Sequence, residues 1–124
     1  MANDKVYIIS RYNDRTKRGR KFNQKVAAYY ARQIAASGRR PVVPHLFYTN
    51  FLNEDLDHER QQGLAFGIKD LDECDEFLCV VVDGVISEGM ANELTHIARQ
   101  GGKPGHMIQL TRKEAKRLIR EVRL

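Results

Sequence analysis

Apolar residues along this chain alternate between short continuous runs and stretches that repeat about every fourth position. Lys5–Ser10 (KVYIIS) is the first continuous run, the pattern of a strand covered on both faces. A polar, basic stretch from Arg11 to Gly19 follows. Phe22, Val26, Tyr30 and Ile34 then recur every four residues with Ala27 and Ala31 beside them, which predicts an amphipathic helix ended by Gly38. Pro41–Pro44 (PVVP) predicts a short second strand, kept near an edge by its prolines. The next stretch, HLFYTNFLNEDLD, reads as a long loop that is aromatic as well as acidic, a kind of segment that often carries function. A helix is expected from about His58 to Asp72, with Leu64, Ile68 and Leu71 inward. Glu76–Asp83 (EFLCVVVD) is the strongest strand. After the loop GVISEG comes a helix with Met90, Leu94, Ile97 and Ala98 on its buried face, stopped by Gly101 and Gly102. Gly105–Leu110 is a fourth strand. Thr111 and Glu114 then form a capping box that opens a last helix, with Ala115, Leu118, Ile119 and Val122 inward.

Strands that alternate with helices imply a parallel sheet. The expected fold is α/β: a three-layer, Rossmann- or flavodoxin-like doubly wound sheet of four to five strands, with residues 1–124 as one domain. Sites in such folds lie outside the carboxyl ends of the strands. Those ends deliver Ser10 and Arg11, then His45, then Asp83 through Gly89, then Leu110 and Thr111. The third group is the richest. Ser87 offers a hydroxyl, Gly89 permits close approach of a ligand to the backbone, and the following helix N-terminus supplies free N–H donors. Glu93 lies one turn in, on the flank of the stripe formed by Met90, Leu94 and Ile97. A carboxylate half-sunk there has an altered proton affinity and nucleophilicity, although periodicity by itself favours a solvent-facing glutamate. His45 is either a contact for a base or phosphate or a partly buried polar residue at a strand end. His96 either tunes Glu93 from one turn away or is a surface histidine.

Charge narrows the partners. The net charge is +5, concentrated in the loop that holds Arg11, Arg15, Lys17, Arg18, Arg20 and Lys21, and in the last helix. The middle of the chain is acidic. That distribution gives no uniform face for nucleic acid and suits a small phosphate-bearing ligand. Cys74 and Cys79 have neither zinc nor thioredoxin spacing, and Cys79 reads as a small buried hydrophobe. No metal motif, Gly-x-Gly-x-x-Gly, Walker A or Gly-x-Ser-x-Gly is present, so no metal and no cofactor is expected. No apolar run approaches a membrane span and no signal peptide opens the chain, so a cytoplasmic protein without membrane association is expected.

The stretch Ser87-Glu88-Gly89-Met90-Ala91-Asn92-Glu93 resembles the S/D-x-G-x-x-x-E motif of the nucleoside 2-deoxyribosyltransferase superfamily, which includes the 2-deoxynucleoside 5-phosphate N-hydrolases. Ser10-Arg11-Tyr12, Pro44-His45-Leu46, Glu59-Arg60, Gly63-Leu64-Ala65-Phe66-Gly67 and Cys74-Asp75-Glu76 resemble an uncharacterised bacterial and phage branch of it, in order, from the first strand to Gly102. The resemblance implies N-glycosidic hydrolysis or deoxyribosyl transfer with Glu93 as nucleophile. It implies an aspartate facing the leaving base, Asp70 or alternatively Asp72. It matches Tyr7 to a tyrosine that orients the nucleophile, against the equal reading of a core tyrosine. Ser10, Arg11, His45, Ser87, Gly89 and Met90 become substrate contacts. Serine rather than aspartate at position 87, together with the basic loop, points to a nucleoside 5′-monophosphate over a nucleoside. The first loop is longer and more charged than in the phosphate-selective hydrolases. A homodimer or higher homo-oligomer is implied. The alternative is a non-catalytic protein of the same fold that senses or sequesters a nucleotide-derived ligand.

Overall fold

The structure is a computed structural model that describes residues 4–124. The continuous apolar runs become strands β1 (Lys5–Ile9), β3 (Glu76–Val82) and β4 (Gly105–Leu110), with the short β2 (Arg40–Val42). They form one four-stranded, all-parallel sheet in the order β2-β1-β3-β4. Side chains alternate across a strand, so β1 sends Tyr7 and Ile9 to one face and Ile8 to the other. Tyr7, Ile9, Cys79 and Val81 pack with Leu71, Met90 and Ile97, from helices α3 (Asp57–Asp72) and α4 (Glu88–Arg99). Ile8 and Val80 pack with Phe22, Val26 and Ala115, from α1 (Lys17–Ala36) and α5 (Arg112–Leu118). The result is the expected three-layer, doubly wound α/β fold, with four strands.

Local chemistry sets the element ends. Thr16 caps α1 by accepting from the Gly19 N–H, and Gly38 leaves the helix at φ +87°. Gly101 and Gly102 both take positive φ after α4. The Thr111–Glu114 capping box is present in both directions. The Lys103 ammonium donates to the Leu71 and Cys74 carbonyls, satisfying acceptors at the end of α3. Both cysteines are buried and free.

The differences from expectation have simple causes. Pro44 does not close β2. It opens a four-residue helix, α2 (Pro44–Phe47), because its fixed φ suits the first helical turn. A 3-10 turn at Tyr48–Asn50 continues from it, so the segment expected to be a loop is largely helical. Leu71 is buried and Ile68 half-buried as expected, whereas Leu64 is exposed and Gly67 faces inward in addition. Ala98 is exposed as well. The loop GVISEG begins as a tight turn: Asp83 and Gly84 both have positive φ, between the bridged residues Val82 and Val85.

Where β3 meets β4, the Phe77 ring lies directly over Gly105, and a Cβ at residue 105 would come within 2.2 Å of the Phe77 Cε1. Gly105→Ala is therefore expected to displace the ring and cost about 1–3 kcal/mol, read from urea denaturation. Unchanged stability would mean that the ring swings aside freely.

Candidate active site

β1 leads through α1 toward one edge of the sheet and β3 through α4 toward the other. Their carboxyl ends are therefore the topological switch point, where open α/β sheets bind ligands. Ser87 ends the turn after β3 and caps α4, its Oγ accepting from the Met90 N–H at 3.2 Å. From that fixed start, Met90, Glu93 and Ile97 fall at i, i+3 and i+7, which is one helical stripe facing the sheet. Met90 and Ile97 are buried and Glu93 is half-buried. The solvent-facing position favoured by periodicity is thus not the one it takes. The Tyr7 hydroxyl, inward from β1, donates to Glu93 Oε2.

Burial pushes the Glu93 carboxyl up to about 7, against the lowering effect of the Tyr7 bond. Burial, then the charge of Glu93, holds the Tyr7 phenol far above its usual value, so the phenol stays protonated and a donor. The Glu93 charge also adds to the burial that raises the Cys79 thiol to about 11. Glu93 is therefore a carboxyl poised near neutrality, with a fixed hydrogen-bond donor and an apolar floor.

Asp70, near the end of α3, is half-buried. Its Oδ2 accepts from the Tyr48 hydroxyl at 2.8 Å, and its charge further raises the Tyr7 phenol. Loss of solvent and then the bond to Asp70 push the Tyr48 phenol up to about 12. Gly67 lets α3 lie close over β1: a Cβ there would sit 3.4 Å from Tyr7 Oη. Asp72 points elsewhere. Its Oδ1 lies 2.7 Å from His96 Nε2 in an α3–α4 contact, so His96 partners Asp72 rather than Glu93.

Ser10 is buried, and its Oγ lies 3.0 Å from His45 Nε2. The Tyr12 ring lies against the imidazole, centroids 5.4 Å apart. Burial holds His45 down to about 4, so it is neutral at pH 7, and its Nδ1 is shut off from solvent without a partner. Arg11 is tied within its own loop, donating to the Asn13 carbonyl at 3.1 Å and lying 3.7 Å from Asp14. The Met90 side chain belongs to the core, while Gly89 is open enough that a Cβ there would meet nothing closer than Ser87 Oγ at 4.0 Å.

Tyr48 is a site residue that pattern reading passed over. Its signal was present in the aromatic, acidic stretch around it. Phe47 and Phe51, about 60% exposed, lie edge-on to Tyr48, and Phe66 of α3 extends the ring cluster. Among the described residues no group of His, Cys, Asp or Glu could hold a metal ion, and no helix is long and apolar enough to cross a membrane.

Fold and site together define a three-layer, doubly wound α/β domain with a tyrosine-held, half-buried glutamate at its switch point. The chain belongs to the family described as "Domain of unknown function (DUF7768)", whose model matches residues 4–107. No curated protein matches it.

Proposed function

We propose that this domain breaks or exchanges the N-glycosidic bond of a nucleoside or nucleoside 5′-monophosphate, with Glu93 as nucleophile. The observation that carries the reading is the Tyr7–Glu93 pair: a half-buried carboxyl, raised to about 7 and oriented by a buried phenol from the middle of β1. A displacement at a sugar carbon needs a carboxylate held in one position, and Glu93 is in part ionised at neutral pH with the Tyr7 bond favouring that form. The resemblance of the Ser87–Glu93 stretch to the nucleoside 2-deoxyribosyltransferase motif supports the same assignment.

In the proposed first step Glu93 Oε attacks the anomeric carbon. The glycosyl ester bond forms as the C–N bond breaks, and the base leaves with the bonding electron pair. Asp70, steadied by Tyr48, hydrogen-bonds or protonates the departing base nitrogen. The exposed rings beside Asp70 offer an aromatic surface on which a nucleobase stacks. In the second step water attacks the same sugar carbon, the ester oxygen leaves as the Glu93 carboxylate, and the water proton passes to solvent or to Asp70. An acceptor base in place of water gives transfer.

Incubation with a panel of ribo- and deoxynucleosides and their 5′-monophosphates, with and without an acceptor base, should release free base that chromatography detects. A folded protein that releases none, yet is stabilised against heat by one of these compounds, would replace catalysis with ligand binding as the function.

A further inference from the structure

On the sheet face opposite Glu93, the carboxyl ends of β1 and β3 open into a cleft of about 80 Å³. Phe22 of α1 and Val80 and Val82 of β3 form its apolar floor, and Ser10, Arg11 and Arg112 stand at its polar rim. The tight turn after β3 builds this rim. Asp83, held at φ +53°, accepts the Arg112 backbone N–H on its Oδ1 at 2.8 Å. The guanidinium of Arg112 then lies over the Phe22 ring, 4.2 Å from its centroid. Among the described residues no carboxylate forms an ion pair with that guanidinium. Arg11, the second cation, donates its Nε–H to the Asn13 carbonyl at 3.1 Å and keeps a loose 3.7 Å contact with Asp14.

We infer that this cleft is a phosphate site, with Arg112 and Arg11 as the cationic groups that bind the phosphoryl oxygens. A guanidinium fork presents parallel donors to an oxyanion, and here the aromatic ring beneath it fixes its plane. Size selects the ligand class. A water needs about 10–15 Å³ of such space, whereas pockets for drug-sized molecules run to about 300 Å³ or more. The cleft therefore takes a tetrahedral oxyanion, and any organic remainder of a phosphate ester lies outside it. Ser10, bonded to His45, forms a neutral wall, and Asp83, the one carboxylate lining the cleft among the described residues, has its Oδ1 taken up by the Arg112 backbone N–H. The inference requires no chemistry at Glu93.

Two-dimensional amide NMR spectra of the whole chain, titrated in turn with inorganic phosphate, a nucleoside 5′-monophosphate and the matching nucleoside, test it. Phosphate and the monophosphate should shift the Asn23, Asp83 and Arg112 amides saturably, and the nucleoside should not. Tighter binding of the monophosphate would identify an ester as the ligand, and equal binding would identify free phosphate. Both support the site. Arg112→Gln should weaken phosphate binding on the order of tenfold or more. If that variant does not fold, Arg11→Gln carries the same expectation. No saturable shift at millimolar phosphate, equal shifts from the nucleoside, or shifts spread over the basic surface and indifferent to both substitutions would overturn the inference. Phosphate binding without base release would leave this site standing and remove the glycosidic reading. Base release without phosphate binding would do the reverse.

Discussion

Glu93→Gln is expected to lower base release on the order of a thousandfold or more while making the protein more stable at pH 8 by about 1–3 kcal/mol. The first effect follows because an amide is no nucleophile at a sugar carbon. The second follows from burial. In the folded state the carboxyl holds its proton up to about pH 7, against an ordinary value of 4.5 for the unfolded chain. Between those values the folded state binds more protons than the unfolded one, so stability falls as pH rises through the window and is flat above it. Glutamine keeps the oxygen that accepts from Tyr7 and never ionises, so it lacks that loss. His45 works in the opposite sense. Its folded value is about 4 and its ordinary value 6.5, so its contribution is present above 6.5 and lost as pH falls toward 4. The two windows nearly coincide and oppose each other in the wild type. Glu93→Gln should unmask the histidine, giving a variant that loses stability more steeply than the wild type from pH 6.5 downward. Urea denaturation at a series of pH values reads both curves. Parallel curves from pH 5 to pH 8 would show that Glu93 ionises like an exposed glutamate and that burial does not govern it.

Most of the fold was legible because its signals are local. The continuous run at Glu76–Val82, the four-residue repeat from Phe22 to Ile34 and the Thr111–Glu114 box each fix an element without reference to the rest of the chain. The segment after β2 was misread because Pro44 ends a strand and begins a helix with equal ease, and only the packing of Phe47, Tyr48 and Phe51 on one another decides between them. The site was legible in its parts but not in its assembly. Glu93 and Tyr7 are 86 residues apart, and they meet only because α4 covers the face of β1 that carries odd-numbered side chains. Pattern reading yields four strands but not their order. The order β2-β1-β3-β4 is what puts α3 and α4 on one face, where Asp72 meets His96 while Asp70, two positions earlier on the same helix, turns to Tyr48. Arg112 was counted with a basic surface, since nothing in its sequence neighbours reveals a contact with Phe22, 90 positions earlier.

Tyr7→Phe should move the ionisation of Glu93 upward by about one pH unit. The hydroxyl is the one group that opposes the effect of burial on this carboxyl, since its hydrogen bond favours the charged form. Phenylalanine fills nearly the same space among Ile9, Leu71 and Met90, so packing changes little and the electrostatic effect stands by itself. At pH 7 fewer molecules then carry the carboxylate, and base release falls roughly in proportion, by about fivefold for a shift of that size from a midpoint near 7. Raising the pH should recover much of that loss, because the nucleophile itself remains. A tyrosine whose main task was aiming the carboxylate would instead lower the rate at every pH without moving the midpoint. Carbon-detected NMR titration of the Glu93 carboxyl decides the matter without any substrate. A wild-type midpoint near 7 and a higher one in the variant is the expected pair. Coincident midpoints would mean that the phenol positions Glu93 without controlling its proton.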